Sequence, residues 1–117
     1  MTKKVQFLKK VNEAFAKSNI DFIVEHITED IEWTVIGDFS VKGKKDFTDA
    51  MKKMASEQAF QLEIKNIITH GNSAAVDGVM KSPDGKEYAF CDVYKFSGFK
   101  NPKIKKMTSY VLELKND

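Results

Sequence analysis

The chain has 117 residues, is 42% hydrophobic and 31% charged, and carries a formal net charge of +2. That size suggests one domain, residues 1–117, able to bury a core without metals or disulfides, and the single cysteine, Cys91, excludes an internal disulfide and fits a reducing compartment. Nineteen lysines without one arginine argue against specific nucleic-acid binding, and no stretch approaches the ~20 apolar residues of a membrane span, so a cytoplasmic protein with neither partner is expected.

The N-terminal "MTKKVQFLKKVNEAF" threads charges through its apolar residues and lacks the run of a signal peptide. Phe7, Leu8, Val11, Ala14 and Phe15 instead form the stripe of an amphipathic helix. The pattern breaks at Ser18-Asn19, either of which can cap a second helix carrying Ile20, Ile23, Val24 and Ile27, with Thr28 to Asp30 closing it. Ile31, Trp33 and Val35 alternate with polar residues as a half-buried strand that stops at Gly37-Asp38. "VKGKKDFTDAMKKMASEQ" returns to helical spacing, with Phe47, Ala50, Met51 and Met54 on one side and Gly43 at the turn before it. Four strands follow: "FQLEIKNII", "AAVDGVMK", "EYAFCDVYKF" and "IKKMTSYVLEL". Short turns such as "SPDGK" imply antiparallel pairing, and helices followed by such a sheet make an α+β domain. Gly78 inside a strand signals a bulge or a close backbone approach.

One residue is out of place. Tyr88, Phe90, Tyr94 and Phe96 share the parity of one sheet face, and Asp92 shares it with them. An ionised carboxylate in an aromatic row is costly without partners. It is therefore either a structural group tied to a neighbouring donor or the polar group that a pocket presents. His26 and His70 have no partner at metal-ligand spacing, and no phosphate loop, dinucleotide fingerprint or zinc spacing occurs, so neither a metal nor a cofactor is expected. Cys91 has the opposite parity to Asp92 and no histidine beside it, which argues against a catalytic thiol.

Two stretches resemble a known family. "EDIEWTVIGDFSVKGKKDFTDAMKKM" is similar to the SnoaL-like pattern of acidic turn, W-x-V-x-G, short loop and G-x-x-x-F. "CDVYKFSGFKNPKIKKMTSYV" is similar to the ketosteroid isomerase pattern D-V-x-R-F, a loop, then an isoleucine and a tyrosine six apart, here Ile104 and Tyr110. The chain thus resembles SnoaL-like and ketosteroid isomerase-like proteins of the nuclear transport factor 2-like superfamily. The resemblance implies a cone-shaped (cystatin-like) fold of three helices on a curved, mostly antiparallel sheet. It also implies an apolar interior pocket and a homodimer formed through the outer sheet face, where Ala89, Cys91, Val93 and Tyr110 lie. Asp92 falls where the isomerases keep an aspartic acid that hydrogen-bonds the forming enolate, a carboxylic acid held neutral by an apolar site. The isomerase base falls near Val35 and the isomerase tyrosine near Val11, and neither valine can move a proton. The cyclases' last-strand aspartate is replaced by Ser109. Asp38, beyond the first strand, could stand in for the lost base only after a loop shift.

The resemblance therefore points to Trp33, Val35, Phe47, Met51, Phe90, Tyr94, Met107 and Ser109 as ligand-binding candidates around Asp92, with Phe39, Met54, Val76 and Met80 also able to face the cavity. Each has a plainer alternative as core packing. The expected function is binding of a small, largely hydrophobic molecule. The alternatives are an acid–base enzyme of isomerase, cyclase, dehydratase or hydrolase type using Asp92 as acid or oxyanion donor, and a protein-interaction domain.

Overall fold

A computed structural model of the chain describes residues 2–54, 60–98 and 102–115. Helix α1 (Lys3–Ala16) starts where the Thr2 hydroxyl accepts from the Val5 N–H, and it buries Leu8, Val11 and Ala14. Ser18 takes a left-handed conformation (φ 57°), which turns the chain sharply between the helices. Asn19 then caps α2 (Ile20–Glu25) by accepting from the Phe22 N–H.

Helix α2 is shorter than the sequence spacing suggests. Ile27 and the Thr28–Asp30 segment belong to strand β1 (Ile27–Val35), not to the helix and its end. The cause is tertiary: Ile27 pairs with Ile104, and the Ile104 N–H donates to the His26 carbonyl. Strand pairing captures a β-branched residue that a helix holds only weakly. A second correction concerns Phe39–Lys42, which forms strand β2 ahead of the third helix. It folds back on β1 through a turn at Gly37, whose φ of +80° suits glycine. Helix α3 (Lys44–Met54) follows, and its expected continuation through residues 55–58 lies outside the described residues.

Strands β3 (Gln61–His70), β4 (Ser73–Lys81), β5 (Glu87–Phe96) and β6 (Ile104–Leu114) complete one curved six-stranded sheet in the order β2-β1-β6-β5-β4-β3. Only the β1–β6 pair is parallel. Its central place puts Trp33 beside Met107 and Val35 beside Ser109. The β3–β4 register slips between Ile64 and Asn66, opposite Gly78, and a Cβ on Gly78 would collide with the Glu63 carbonyl oxygen. The glycine thus permits the close approach at the bulge, as its mid-strand place suggests.

The three helices cover one face of the sheet. Between the layers Leu8, Val11, Ile23, Ile31, Phe47 and Val76 lose essentially all contact with water. Each such aliphatic or aromatic side chain stabilises the fold by about 1.5–3 kcal/mol. No helix of the described residues is long and apolar enough to cross a membrane.

Candidate functional site

The strand register assembles a polar group inside this apolar layer. Asp92 on β5 lies between Val76 of β4 and Ser109 of β6. Tyr94 is two residues along the same strand and therefore on the same face. Hydrogen bonding by both hydroxyls acts to lower the Asp92 pKa. Each hydroxyl is in turn held from behind. The Trp33 indole N–H donates to Ser109 Oγ at 3.0 Å, reaching across from β1. The Asn12 amide of α1 donates to Tyr94 Oη at 3.3 Å and to the Leu8 carbonyl at 2.8 Å. Helix and three strands thus converge on one carboxyl group.

Asp92 also opens onto a cavity of about 150 Å³. Its walls include Phe15, Trp33, Val35, Phe90, Met107 and Val111, together with Met54, Phe60, Leu62 and Met80. Asn12, Asp92 and Ser109 are the polar residues among the described lining, and Asp92 is its one charged group. Asp92 keeps part of its surface accessible, whereas Tyr94 is fully buried. Burial raises the Asp92 pKa to about 6, and the hydrogen bonds from Ser109 and Tyr94 partly offset that rise. Burial and the neighbouring Asp92 charge push the Tyr94 hydroxyl well above its ordinary value, so it stays protonated.

The candidates named from the sequence separate into two groups. Trp33, Val35, Phe90, Asp92, Met107 and Ser109 line the cavity, as do Met54 and Met80. Phe47, Met51 and Tyr94 do not: they are buried in the core. Phe47 and Met51 leave the wall because α3 lays them against the sheet, with the Phe47 ring packed on Trp33 at 5.2 Å. Tyr94 lies behind Asp92 and acts on the site only through its hydroxyl. Val76 is likewise core, and Phe39 lines a separate open groove between β2 and α3. That groove is larger, about 460 Å³, but its acidic residues Asp46 and Asp49 are solvent-exposed.

Asp38 is exposed in the β1–β2 turn and does not line the cavity, so this geometry does not use it as a base. Val35 lines the cavity and Val11 is fully buried, and neither carries a titratable atom. Cys91 lies on the opposite face, its thiol raised by burial and by the Asp92 and Asp77 charges. His26 is held by the Phe22 carbonyl at 2.7 Å and stacks near Phe7 and Phe22. No group of three or more metal-ligating side chains occurs among the described residues. Sequence inspection misses Asn12 and Phe15 on α1, and Phe60, Leu62 and Val111 as well. The available signal was the helical spacing Leu8, Val11, Asn12, Phe15, in which one core-facing position is an amide.

The comparisons agree with this architecture. The family model described as SnoaL-like domain matches residues 8–107. A nuclear transport factor 2-like protein of unknown function from Cytophaga hutchinsonii is 30% identical, with a TM-score of 0.71 over 89% of this chain and 95% of that one. Nuclear transport factor 2 from Cryptosporidium parvum is 18% identical, with a TM-score of 0.78 over 92% of this chain and 90% of that one. An LEH-like epoxide hydrolase from M. tuberculosis is 14% identical, with a TM-score of 0.67 over 85% of this chain and 74% of that one. At those two lower identities the likeness is one of fold. No curated protein matches the sequence. The match over residues 8–107, the 30% identical relative and the helix-on-curved-sheet architecture agree: this chain belongs to the SnoaL-like domain family of nuclear transport factor 2-like proteins.

Proposed function

We propose that the chain binds a small, largely apolar molecule inside the cone, with the ligand's polar group against Asp92. The observation that carries this reading is the apolar cavity of about 150 Å³ with one charged group in its described wall. A cavity of that volume suits a molecule about the size of benzene. Trp33 supplies the assay, because it is the only tryptophan and lies in the wall. Titration with toluene is expected to change Trp33 emission saturably. At ten times Kd the ligand raises stability by about 1.4 kcal/mol. Unchanged emission and an unchanged melting temperature at saturating toluene defeat the proposal.

An acid–base enzyme is the second reading, and the raised pKa of Asp92, about 6, favours it. A carboxyl that titrates near neutrality can both give and take a proton. Under this reading turnover of a small epoxide or enone follows an ionisation near pH 6 and disappears in Asp92→Asn. A homodimer is the partner we propose. Ile68, Tyr110 and Leu112 are exposed, and the register puts them on the convex face with Ala89, Cys91 and Val93. The lone thiol supports a cytoplasmic setting.

A further inference from the structure

Both hydroxyls beside Asp92 accept a bond from another residue, which leaves each O–H to point at the carboxylate. An indole N–H can only donate, so the Trp33 bond of 3.0 Å takes an acceptor site on Ser109 Oγ and leaves its O–H for the carboxylate. The Asn12 N–H does the same to Tyr94 Oη at 3.3 Å. Asp92 is therefore placed as an acceptor facing two hydroxyl donors. The rest of its carboxylate faces the cavity, where a ligand can offer donors. No lysine or histidine lines that cavity among the described residues. Four aromatic residues do: Phe15, Trp33, Phe60 and Phe90. Aromatic faces attract cations, and most strongly when water is excluded.

We infer that the cavity selects a small apolar amine, bound as its ammonium ion with N–H donors on Asp92 and its hydrocarbon body among the aromatic rings. This rests on the binding reading above and names the ligand class. A carbonyl ligand is disfavoured because it sets oxygen against the cavity-facing oxygen of Asp92. Ionisation of Asp92 above about pH 6 is consistent with the ion pair, which supplies the counter-charge that the described wall lacks.

The test compares three ligands built on one ring, namely benzylamine, benzaldehyde and toluene, by calorimetry and Trp33 fluorescence at pH 7.5. The amine is expected to bind about tenfold or more tightly than the other two, as a charge-assisted hydrogen bond provides. In Asp92→Asn that margin should vanish while toluene binding persists. If benzaldehyde or toluene binds wild-type protein as tightly as benzylamine, the amine inference is overturned and the apolar cavity reading survives. If none of the three binds, the cavity reading fails and the inference with it. The wild-type series decides the matter even if the variant does not fold.

Discussion

Replacing Asp92 by asparagine should stabilise the protein at neutral pH, although it alters the polar residue on the aromatic face of β5. In the unfolded chain Asp92 ionises near its ordinary value of 3.8, whereas in the fold its pKa is about 6. Below pH 3.8 both states are protonated and the group is neutral in the balance. As pH rises from 3.8 to about 6 the unfolded chain releases this proton first, so stability is lost across that window. Above about pH 6 the loss is complete. A difference of roughly two pKa units at about 1.36 kcal/mol each amounts to about 3 kcal/mol. Asparagine keeps the shape and accepts from Ser109 and Tyr94, but it has no charge to desolvate. Urea denaturation of wild type and Asp92→Asn at pH 4 and pH 7.5 isolates the effect, since other carboxylates titrate alike in both proteins. The variant should be nearly equal at pH 4 and more stable at pH 7.5 by up to about 3 kcal/mol, about 10 °C in Tm. A variant that is no more stable at pH 7.5, or whose difference ignores pH, refutes the account of a strained carboxylate.

Three further outcomes follow from the same geometry. Ser109→Ala removes one donor to Asp92 and strands the Trp33 N–H, so the Asp92 midpoint should move above about 6 at a cost of about 1–2 kcal/mol; carbon-detected NMR titration of the carboxyl reads it, and an unmoved midpoint contradicts the bond. Gly78→Ala drives a methyl into the Glu63 carbonyl and should cost about 2 kcal/mol or more, and an unchanged urea midpoint would exclude close approach at the bulge. Leu112→Lys alters an exposed convex-face residue and should leave monomer stability within about 0.5 kcal/mol while lowering the sedimenting mass, and equal masses for both proteins count against the dimer.

The strands were legible wherever a period of two ran for eight or more residues, as in Glu87 to Phe96, because parity alone assigns a face. Strand β2 was not, since Phe39, Ser40, Val41 and Lys42 offer only two alternations before the helix pattern starts. The end of α2 was hidden because Ile27 satisfies a helical stripe, and only its partner Ile104, far along the chain, turns it into strand. The same limit separates the site residues. Parity put Asp92, Tyr94 and Phe90 together. It did not say that α1 would cover Tyr94 with Asn12 and leave Asp92 facing open space. A cavity is the volume that packed elements fail to fill, so its walls depend on how helices dock. That is why Phe47 and Met51, which share a stripe with Met54, are core while Met54 is wall.

Asp92 joins these levels. The aromatic and aliphatic residues that build the core are the ones that exclude water from its carboxyl, so a better-packed cone makes the charge more expensive. Two oriented hydroxyls reduce that cost without removing it, for the pKa is still raised after both are counted. An apolar replacement of the whole group would relieve the strain and let the cavity close, as buried ionic groups generally can be replaced without loss of stability. A residue maintained purely for folding gains nothing from a charge whose desolvation its partners only partly offset. Strain of this kind is more at home in a binding or reacting site, where a ligand supplies the partner that the fold withholds. On that view Asp92→Asn should gain stability and lose amine affinity together, and a variant showing the first without the second would break the link between strain and binding.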